Sequence, residues 1–280
     1  MNITDFSRFA IIQTAFLGDV ALTLPLAEAI KRYHPSAEIT VVTTPLAAPL
    51  VECSDAVDRV IPFDKRKNHK GLRGIRLLAN ELKKNNIDCI IAPHRSFRTT
   101  VLTTLANAKC SIGFSKNSLS LLYSKRINYF THLHEVERNL MLLTAFDDIQ
   151  NPIEKVINPP VVTIPSIDSD TVRQFVHHYG IKSPVIAIAP GSVWATKRWC
   201  EEYFVSTARY FVEKGYSCVF LGGREDAELC KRLAAASGGI SLAGETTIVQ
   251  TIDFLKQCTV ILTNDSAPTH LAWIAGCPTV

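Results

Sequence analysis

The residues best suited to chemistry in this sequence are Asp265, Ser266 and His270. The apolar run before them, 259–262, predicts a buried parallel strand, and the segment 271–275 predicts a helix. In open α/β sheets, ligands bind where strands end and helices begin. A capped helix start there would aim free backbone N–H groups at an anion. We therefore expect these three residues to bind an anionic group, although an ordinary capped helix with a surface histidine gives the same pattern.

Two more turns follow predicted strands of the same half of the chain. A Pro-Gly turn ends at Ser192 and is followed by Lys197, and a Gly-Gly turn at 222–223 is followed by Glu225. Lys197 offers a positive charge for phosphate, and Glu225 can accept hydrogen bonds from ribose hydroxyls. Together with the first turn, these residues suit a nucleoside diphosphate. The sequence contains neither G-x-x-x-x-G-K-[ST] nor G-x-G-x-x-G after its first strand, so it favours neither a P-loop ATPase nor a nicotinamide enzyme.

Asp19 is the candidate for proton transfer in the first half of the chain. It follows Gly18 just after a predicted first strand at 9–13, where a helix begins. A helix N-terminus favours an ionised carboxylate, which could take a proton from an attacking hydroxyl as a general base. The simpler alternative is an acidic helix cap with no part in chemistry.

Strands and helices must alternate to place these turns at sheet edges. Apolar strand patterns and helical patterns do alternate along the chain, which predicts parallel sheets covered on both faces. The prolines between 151 and 168 interrupt the alternation and predict an extended connection. We expect a first Rossmann-like domain at 1–155, a linker at about 156–165, and a second Rossmann-like domain at 166–280.

Composition limits the class of protein. Hydrophobic residues make up 47% and charged residues 20%, as in globular proteins, and the net charge of +4 is too small to argue for nucleic acid. The eight scattered cysteines form no Cys-x-x-Cys pair, which predicts reduced thiols and no zinc site. The sequence has no stretch typical of a transmembrane helix or a signal peptide. A dense basic run between Lys65 and Arg76 is either a solvated helix face or a landing site for an anionic partner or membrane.

Four groups of residues, taken together and in order, carry a family resemblance. They are Gly18-Asp19 with Leu24-Pro25, Pro190-Gly191-Ser192 with Lys197-Arg198-Trp199, Leu242-Ala243-Gly244-Glu245-Thr246, and Asn264-Asp265-Ser266 with His270. This series resembles the ADP-heptose:lipopolysaccharide heptosyltransferases of glycosyltransferase family 9, which build the inner core of bacterial lipopolysaccharide. The match covers nearly the whole chain, and the second half is most similar to the heptosyltransferase II branch.

The resemblance implies a GT-B fold, with two Rossmann-like domains whose parallel sheets face a central cleft. It also implies an inverting, metal-independent transfer. No cofactor is expected, since the ADP-sugar is a substrate. The family's catalytic Asp falls on Asp19 and its phosphate-binding Lys on Lys197. Donor binding is further assigned to Ser192, Glu225, Asp265, Ser266 and His270. Acceptor binding is assigned to Arg98 and Arg138.

The implied reaction moves a heptose from ADP-heptose to a hydroxyl of the lipopolysaccharide inner core. The expected partners are the nucleotide-sugar donor, an anionic lipopolysaccharide core acceptor and, by peripheral contact, the inner membrane. Nucleic acid is not an expected partner. The expected location is the cytoplasm, at the cytoplasmic face of the inner membrane.

The chain departs from the family pattern at two places. Ala267 stands where the family usually has glycine, and the chain stops at Val280 inside a predicted strand, so we expect the second domain to be truncated. Three other functions fit the residues: a related transferase for another sugar or acceptor, a non-catalytic nucleotide-sugar binder, and a UDP-sugar 2-epimerase. The transferase function requires Asp19 as a base, whereas a pure binder does not.

Overall fold

The structure, a computed structural model, describes residues 1–65, 67, 69–153 and 158–280. It divides into two compact units, Met1–Pro160 and Val161–Val280. Residues 154–157, where the predicted first domain ends and the linker begins, lie outside the described residues, as does Arg66 of the basic run. Each unit is an α/β layer structure around a parallel sheet, which confirms the expected fold class.

The first unit alternates strands and helices. Its elements are β1 (Arg8–Ile12), α1 (Leu17–Ala21), α2 (Leu24–Tyr33), β2 (Glu38–Thr43), α3 (Ala48–Glu52), β3 (Arg59–Pro62), α4 (Gly71–Lys84), β4 (Cys89–Ala92), α5 (Phe97–Ala106), β5 (Cys110–Phe114), β6 (Lys125–Ile127) and α6 (Glu135–Leu140). Short 3₁₀ helices lie at Ile3–Asp5, Ser120–Leu122 and Met141–Ala145. The strands form one six-stranded parallel sheet in the order β3-β2-β1-β4-β5-β6, which is that of a doubly wound nucleotide-binding fold.

Burial explains why these segments form central strands. Every residue of β1 after Arg8 and every residue of β4 is buried, as a parallel strand covered on both faces requires. One face of the sheet packs on α4 and α5, through a core that includes Ile12, Leu78 and Leu102. These helices cover the sheet while the turns at the carboxyl ends of the strands stay accessible for chemistry.

The second unit repeats the pattern on a smaller scale. Its elements are α7 (Ser166–His178), β7 (Val185–Ala189), α8 (Glu201–Glu213), β8 (Ser217–Phe220), α9 (Ala227–Ser237), β9 (Ile240–Ser241), α10 (Ile248–Leu255), β10 (Val260–Thr263) and α11 (Ala267–Ala275), with 3₁₀ turns at Ala195–Lys197 and Arg224–Asp226. The parallel sheet has the order β10-β7-β8-β9. After α11 the chain returns beside β10, where Thr279 forms a parallel bridge with Ile261.

The start of α11 corrects one sequence expectation. The sequence predicts the helix at 271–275, but it begins at Ala267, with Ser266 as its N-cap and Pro268 in its first turn. Proline is tolerated there because the first N–H groups of a helix have no partner within the helix. As a result, His270 lies inside the helix rather than before it.

Seven of the eight cysteines are buried and all eight are free thiols. Burial raises the pKa of Cys218 to about 11 and that of Cys230 to about 12, so both thiols stay protonated and unreactive at neutral pH. Cys200, the N-cap residue of α8, is the exposed one. Among the described residues, no helix is both long enough and apolar enough to span a bilayer.

Candidate functional site

The second unit brings three of the predicted turns to one edge of its sheet. In the strand order, β7 lies between β10 and β8, and all three strands run parallel. The turns that follow them, at 264–266, 190–192 and 222–223, are therefore neighbours at the carboxyl edge. We call this set of turns the second-unit edge. It places Ser192, Asp265 and Ser266 on adjacent turns.

Lys197 and Asp265 form an ion pair at this edge. The Lys197 Nζ lies 2.6 Å from Asp265 Oδ2, although the two residues are 68 positions apart in sequence. The hydrogen bond to Lys197, with a smaller contribution from the charge of His270, holds the pKa of the Asp265 carboxyl below its usual value. Both side chains are exposed, and exposed pairs add little to stability. The pair therefore matters less for stability than for position, because it holds the Lys197 ammonium at the second-unit edge.

A buried amide, Asn264, holds two of the turns together. Its Nδ2 donates to the carbonyl of Pro190 at 2.8 Å, and its Oδ1 accepts from the backbone N–H of Trp199 at 2.9 Å. Arg198 Nε also donates to the carbonyl of Ser192 at 2.8 Å, which fixes the loop between Ser192 and Lys197. Sequence reasoning included Asn264 in a motif but gave it no role, because its partners are distant in sequence.

Replacing Asn264 by alanine should destabilise the second unit by about 2 kcal/mol, because the buried carbonyl of Pro190 and the partly buried N–H of Trp199 would lose their partner. Urea unfolding followed by tryptophan fluorescence measures this directly, since the three tryptophans, Trp194, Trp199 and Trp273, all lie in this unit. The exposed Gln257→Ala, just after α10 in the same unit, is the control and should change stability by less than about 0.5 kcal/mol. An equal stability of the two variants would contradict the bridging role of Asn264.

The first turn of α11 shows whether alanine can replace the family's glycine at position 267. Ser266 is the N-cap, with an extended backbone (φ −151°, ψ −178°), and Ala267 is the first residue of the helix. Ala267 therefore needs no positive φ, and the family's glycine is not required for backbone conformation at this position. His270 lies in the same turn and is close enough to Asp265 to affect its pKa.

A carboxylate that sequence reasoning passed over lies between the turns after β7 and β8. Asp226 Oδ2 accepts from the N–H of Gly223 at 3.2 Å, and its carboxylate covers Gly191, where any side-chain carbon would overlap it. Burial raises the pKa of the Asp226 carboxyl. The predicted Glu225 lies beside it and is exposed. The second-unit edge thus has two adjacent carboxylates after β8, one half-buried against Gly191 and one exposed beside Gly223.

Asp19 lies in the first turn after β1 in the first unit. It is the third residue of the single-turn helix α1, and its Oδ2 accepts the backbone N–H of Phe16 at 3.1 Å. Its backbone carbonyl accepts a hydrogen bond from Thr23. Among the described residues, no donor contacts the second carboxylate oxygen. This half-buried carboxylate is therefore positioned by its own turn while one oxygen remains available to a substrate.

His94 forms a hydrogen-bonded cluster at the end of the neighbouring strand β4. Its Nδ1 lies 3.0 Å from Thr14 Oγ1 and 3.1 Å from Thr99 Oγ1, and Lys65 Nζ donates to the Thr14 carbonyl at 2.8 Å. Burial, and then the charges of Lys65 and Arg95, lower the pKa of His94 to about 4. The imidazole is therefore neutral at physiological pH and joins the turn after β1 to the segment after β4, while Lys65 joins the turn after β3 to that after β1. No local sequence pattern indicates this cluster, apart from the position of His94 after a strand.

The low pKa of His94 should make the first unit less stable in acid. As the pH falls from 6.5 to about 4, the unfolded state takes up a proton on His94 before the folded state does. We therefore expect the titration of His94 to lower the free energy of unfolding by about 3 kcal/mol across this window. Urea unfolding followed by circular dichroism measures this change. His94→Gln should lack this part of the pH dependence, whereas the exposed His132→Gln should keep it. A His94 resonance that titrates near 6.5 in an NMR experiment would contradict the prediction.

The predicted acceptor residues, Arg98 and Arg138, have different surroundings. Arg98 is exposed in the first turn of α5, and its charge contributes to a lowered pKa of the half-buried Lys65 after burial itself. Arg138 is largely enclosed: it pairs with Glu135 at 2.9 Å, donates to Tyr129 and stacks on the Tyr129 ring. Its two terminal guanidinium nitrogens are thus occupied within the unit, while the buried Nε has no partner among the described residues.

Arg95 is an acceptor candidate that sequence reasoning did not name. Its guanidinium carbon lies 3.9 Å from the centroid of the Tyr129 ring, and its side chain is exposed. Stacking on an aromatic ring orients a guanidinium and leaves its N–H donors free in the plane. Arg95, Arg98 and Lys65 therefore place positive charge on the same sheet edge as Asp19. The described residues contain no group of three or more side chains suited to hold a metal ion.

Comparison with known proteins gives the family of the chain. The family model for glycosyltransferase family 9 (heptosyltransferase) matches residues 75–280, which is more than half of the chain. The lipooligosaccharide heptosyltransferase 2 of Haemophilus ducreyi is 24% identical over 280 residues, covering 95% of this chain and 79% of that protein.

Solved structures show the same fold. A glycosyl transferase family 9 protein from Veillonella parvula superposes with a TM-score of 0.88 and 24% identity, over 98% of this chain and 79% of its own. The Escherichia coli ADP-heptose lipopolysaccharide heptosyltransferase II superposes with a TM-score of 0.80 and 21% identity, over 97% of this chain and 83% of its own. The two α/β units accordingly have the GT-B fold. With its family model matched across the second unit and part of the first, this chain belongs to glycosyltransferase family 9, the heptosyltransferases.

Proposed function

We propose that this protein is an inverting, metal-independent heptosyltransferase that moves a heptose from ADP-heptose to a hydroxyl of the lipopolysaccharide inner core. The observation that carries the proposal is the second-unit edge, where the Lys197 ammonium is held by Asp265 beside the first turn of α11. A cation next to helix N–H groups suits a diphosphate. Family membership supplies the sugar and the acceptor class, since the relatives are named heptosyltransferases of lipopolysaccharide or lipooligosaccharide.

The donor would bind through the residues of the second-unit edge. Lys197 and the N–H groups at Ser266 bind the diphosphate, with Ser192 and His270 in the adjacent turn and helix. Glu225 and Asp226 accept hydrogen bonds from the ribose hydroxyls, as carboxylates after strands do in nucleotide-binding folds. The diphosphate would displace the Asp265 carboxylate from Lys197, because both anions compete for the same ammonium group.

The chemical step would use Asp19 as the general base. Its carboxylate takes the proton of an acceptor hydroxyl while the oxygen attacks the anomeric carbon from the side opposite the leaving group. The bond to ADP breaks as the new bond forms, so the configuration inverts. Lys197 stabilises the negative charge that develops on ADP, a role that a divalent metal has in other transferases.

The acceptor would be anionic and membrane-borne. Lys65, Arg95 and Arg98 offer cations on the edge that carries Asp19, and they suit carboxylates or phosphates of an inner-core acceptor. Arg138 would act on this side mainly by fixing Tyr129 beneath Arg95. With such an acceptor, the protein would act in the cytoplasm, in peripheral contact with the cytoplasmic face of the inner membrane.

Calorimetric titration with ADP, UDP and ADP-heptose in the presence of a metal chelator tests the proposal. We expect ADP and ADP-heptose to bind at least tenfold more tightly than UDP. A preference for UDP would favour a UDP-sugar enzyme instead. Product analysis with deacylated inner-core acceptor then tests transfer, and loss of turnover on chelation would contradict metal independence.

A further inference from the structure

A cavity opens at the amino edge of the six-stranded sheet, at the opposite ends of the strands from Asp19. Its volume is about 220 Å³. It lies between the first residues of β1, β2 and β3 and the end of α4, and its polar lining includes Arg8, Glu38, Thr40, Arg59, Lys84 and Asn86. We call this cavity the amino-edge pocket.

The register of the sheet places the strand residues of the pocket side by side. Arg8 is opposite Glu38 on the neighbouring strand, and Thr40 is opposite Arg59. Side chains alternate along a strand, so Val42 faces the same way as Thr40, and Val42 belongs to the apolar core beneath α4. The polar residues thus continue a core face past the point where α4 ends.

Hydrogen-bond donors and positive charge dominate the pocket. Arg8 Nε donates to Glu38 Oε2 at 2.9 Å, and Arg59 Nη1 donates to the Asn85 side-chain oxygen at 2.7 Å. A guanidinium has several further N–H donors, and among the described residues no acceptor contacts them or the ammonium of Lys84. Three cations and one carboxylate give the lining a net charge of +2.

The other carboxylates at this edge are bound to the backbone. Asp58 accepts the N–H of Ile39 at the start of β2, and Asp88 accepts the N–H of Arg8 at the start of β1. Neither lines the pocket. Glu38 therefore is the acidic side chain that a ligand would meet, and its exposed ion pair with Arg8 is of a kind that contributes little to stability.

Thr40 gives the most direct indication of a ligand. The residue is only 6% exposed and lies on a sheet face that is otherwise apolar, yet its hydroxyl has no hydrogen-bond partner among the described residues. Buried polar groups in proteins are almost always hydrogen-bonded. Because Thr40 lines the pocket, a molecule bound there would supply the missing partner.

We propose that the amino-edge pocket binds a compact phosphorylated sugar. Guanidinium and ammonium groups bind phosphate, so Arg59 and Lys84 suit the phosphate group. The Thr40 hydroxyl, the Asn86 amide and the Glu38 carboxylate suit the sugar hydroxyls, since together they can donate and accept hydrogen bonds. The volume is below the roughly 300–1,000 Å³ of pockets for drug-sized ligands, which favours a small molecule.

The pocket differs from the site proposed for transfer in place and in chemistry. Along β1, Arg8 lies about 13 Å from Ile12, and Asp19 lies in the turn beyond. A small molecule beside Arg8 would therefore not contact Asp19. Among the described residues, none that lines the pocket is aromatic, so a nucleotide base would have no ring to stack on. The proposed ligand is thus additional to the donor and the acceptor.

Calorimetric titration of the full chain with ribose 5-phosphate tests the proposal. We expect a Kd below about 1 mM, and binding at least tenfold weaker for ribose and for inorganic phosphate, because each lacks part of the recognised groups. Arg59→Gln/Lys84→Gln should weaken binding of ribose 5-phosphate at least tenfold. Thr40→Val keeps the shape of the side chain and should weaken it about fivefold, as expected for one lost hydrogen bond.

A matched variant and a map of the binding site keep the test specific. Arg76→Gln/Lys109→Gln removes one exposed arginine and one exposed lysine of the same unit outside the pocket. It should bind ribose 5-phosphate within about twofold of the wild type, with unchanged circular dichroism in every variant. In ¹H–¹⁵N NMR spectra of the wild type, the largest shifts on titration should fall at residues 38–40, 59 and 84–87.

Four results would overturn the proposal. They are failure of the wild type to bind ribose 5-phosphate, equally tight binding of inorganic phosphate, an equal loss in Arg76→Gln/Lys109→Gln, and shifts confined to the second unit. Titration with ADP keeps this outcome separate from the proposed function. The pocket variants should bind ADP like the wild type, and a protein that binds ribose 5-phosphate at this pocket but no ADP would contradict the proposed function alone.

Discussion

Replacement of Asp19 by asparagine should lower the rate of heptose transfer by about 10²- to 10⁴-fold, the usual contribution of a general base. Asparagine keeps the size of the side chain and can keep the contact with the Phe16 N–H only by turning its amide oxygen toward it. It cannot take a proton from the acceptor hydroxyl. Single-turnover measurements at saturating donor and acceptor isolate this chemical step from binding.

The same variant should bind ADP within a few-fold of the wild type, because Asp19 belongs to the first unit and the proposed donor residues to the second. Asp253→Asn, on α10, is a suitable control for a carboxylate-to-amide change elsewhere and should retain full activity. Undiminished transfer by Asp19→Asn would remove Asp19 from the mechanism. Joint loss of transfer and ADP binding would instead indicate a structural role for this carboxylate.

Lys197→Ala should weaken ADP-heptose binding by about 10- to 100-fold, equivalent to the 1.5–3 kcal/mol of a charged hydrogen bond. The variant loses the ammonium and also leaves the Asp265 carboxylate unpaired where the diphosphate should bind. Two effects therefore add: a lost attraction and a new repulsion. Calorimetric titration with ADP and with ADP-heptose measures their sum.

A second substitution separates the two effects. In Lys197→Ala/Asp265→Asn the repulsive charge is absent, so part of the affinity lost in Lys197→Ala should return. The exposed Lys256→Ala, at the C-cap of α10, controls for the general loss of a positive charge. Binding as tight as that of the wild type in Lys197→Ala would refute the assignment of Lys197 to the phosphates.

Strongly patterned elements were predictable from the sequence. The apolar run Val185–Ala189 is β7, and its five residues are all buried, because a central parallel strand needs apolar side chains on both faces. The edge strands β6 and β9 are not predictable from local sequence pattern. They are three and two residues long, too short to show an apolar period. In β6, moreover, Lys125 and Arg126 are exposed.

The candidate site was predictable in its motifs but not in its tertiary contacts. Asp265 and Lys197 could be nominated separately, since each follows a strand end, yet their pairing depends on β10 and β7 being neighbours. His94 shows the limit most clearly. Its depressed pKa arises from burial beside Thr14, 80 positions away in sequence, and from nearby cations that no local pattern identifies.

The exposed Cys200 gives the native protein a built-in attachment point for a reporter. All eight cysteines are among the described residues, and the other seven are buried. A maleimide fluorophore should therefore label Cys200 selectively without any engineered mutation. Cys200 directly follows Trp199, whose backbone is bound by Asn264. A dye at this position would sense rearrangement of the turn around Lys197, so rapid mixing of labelled protein with ADP-heptose should give the time course of donor capture.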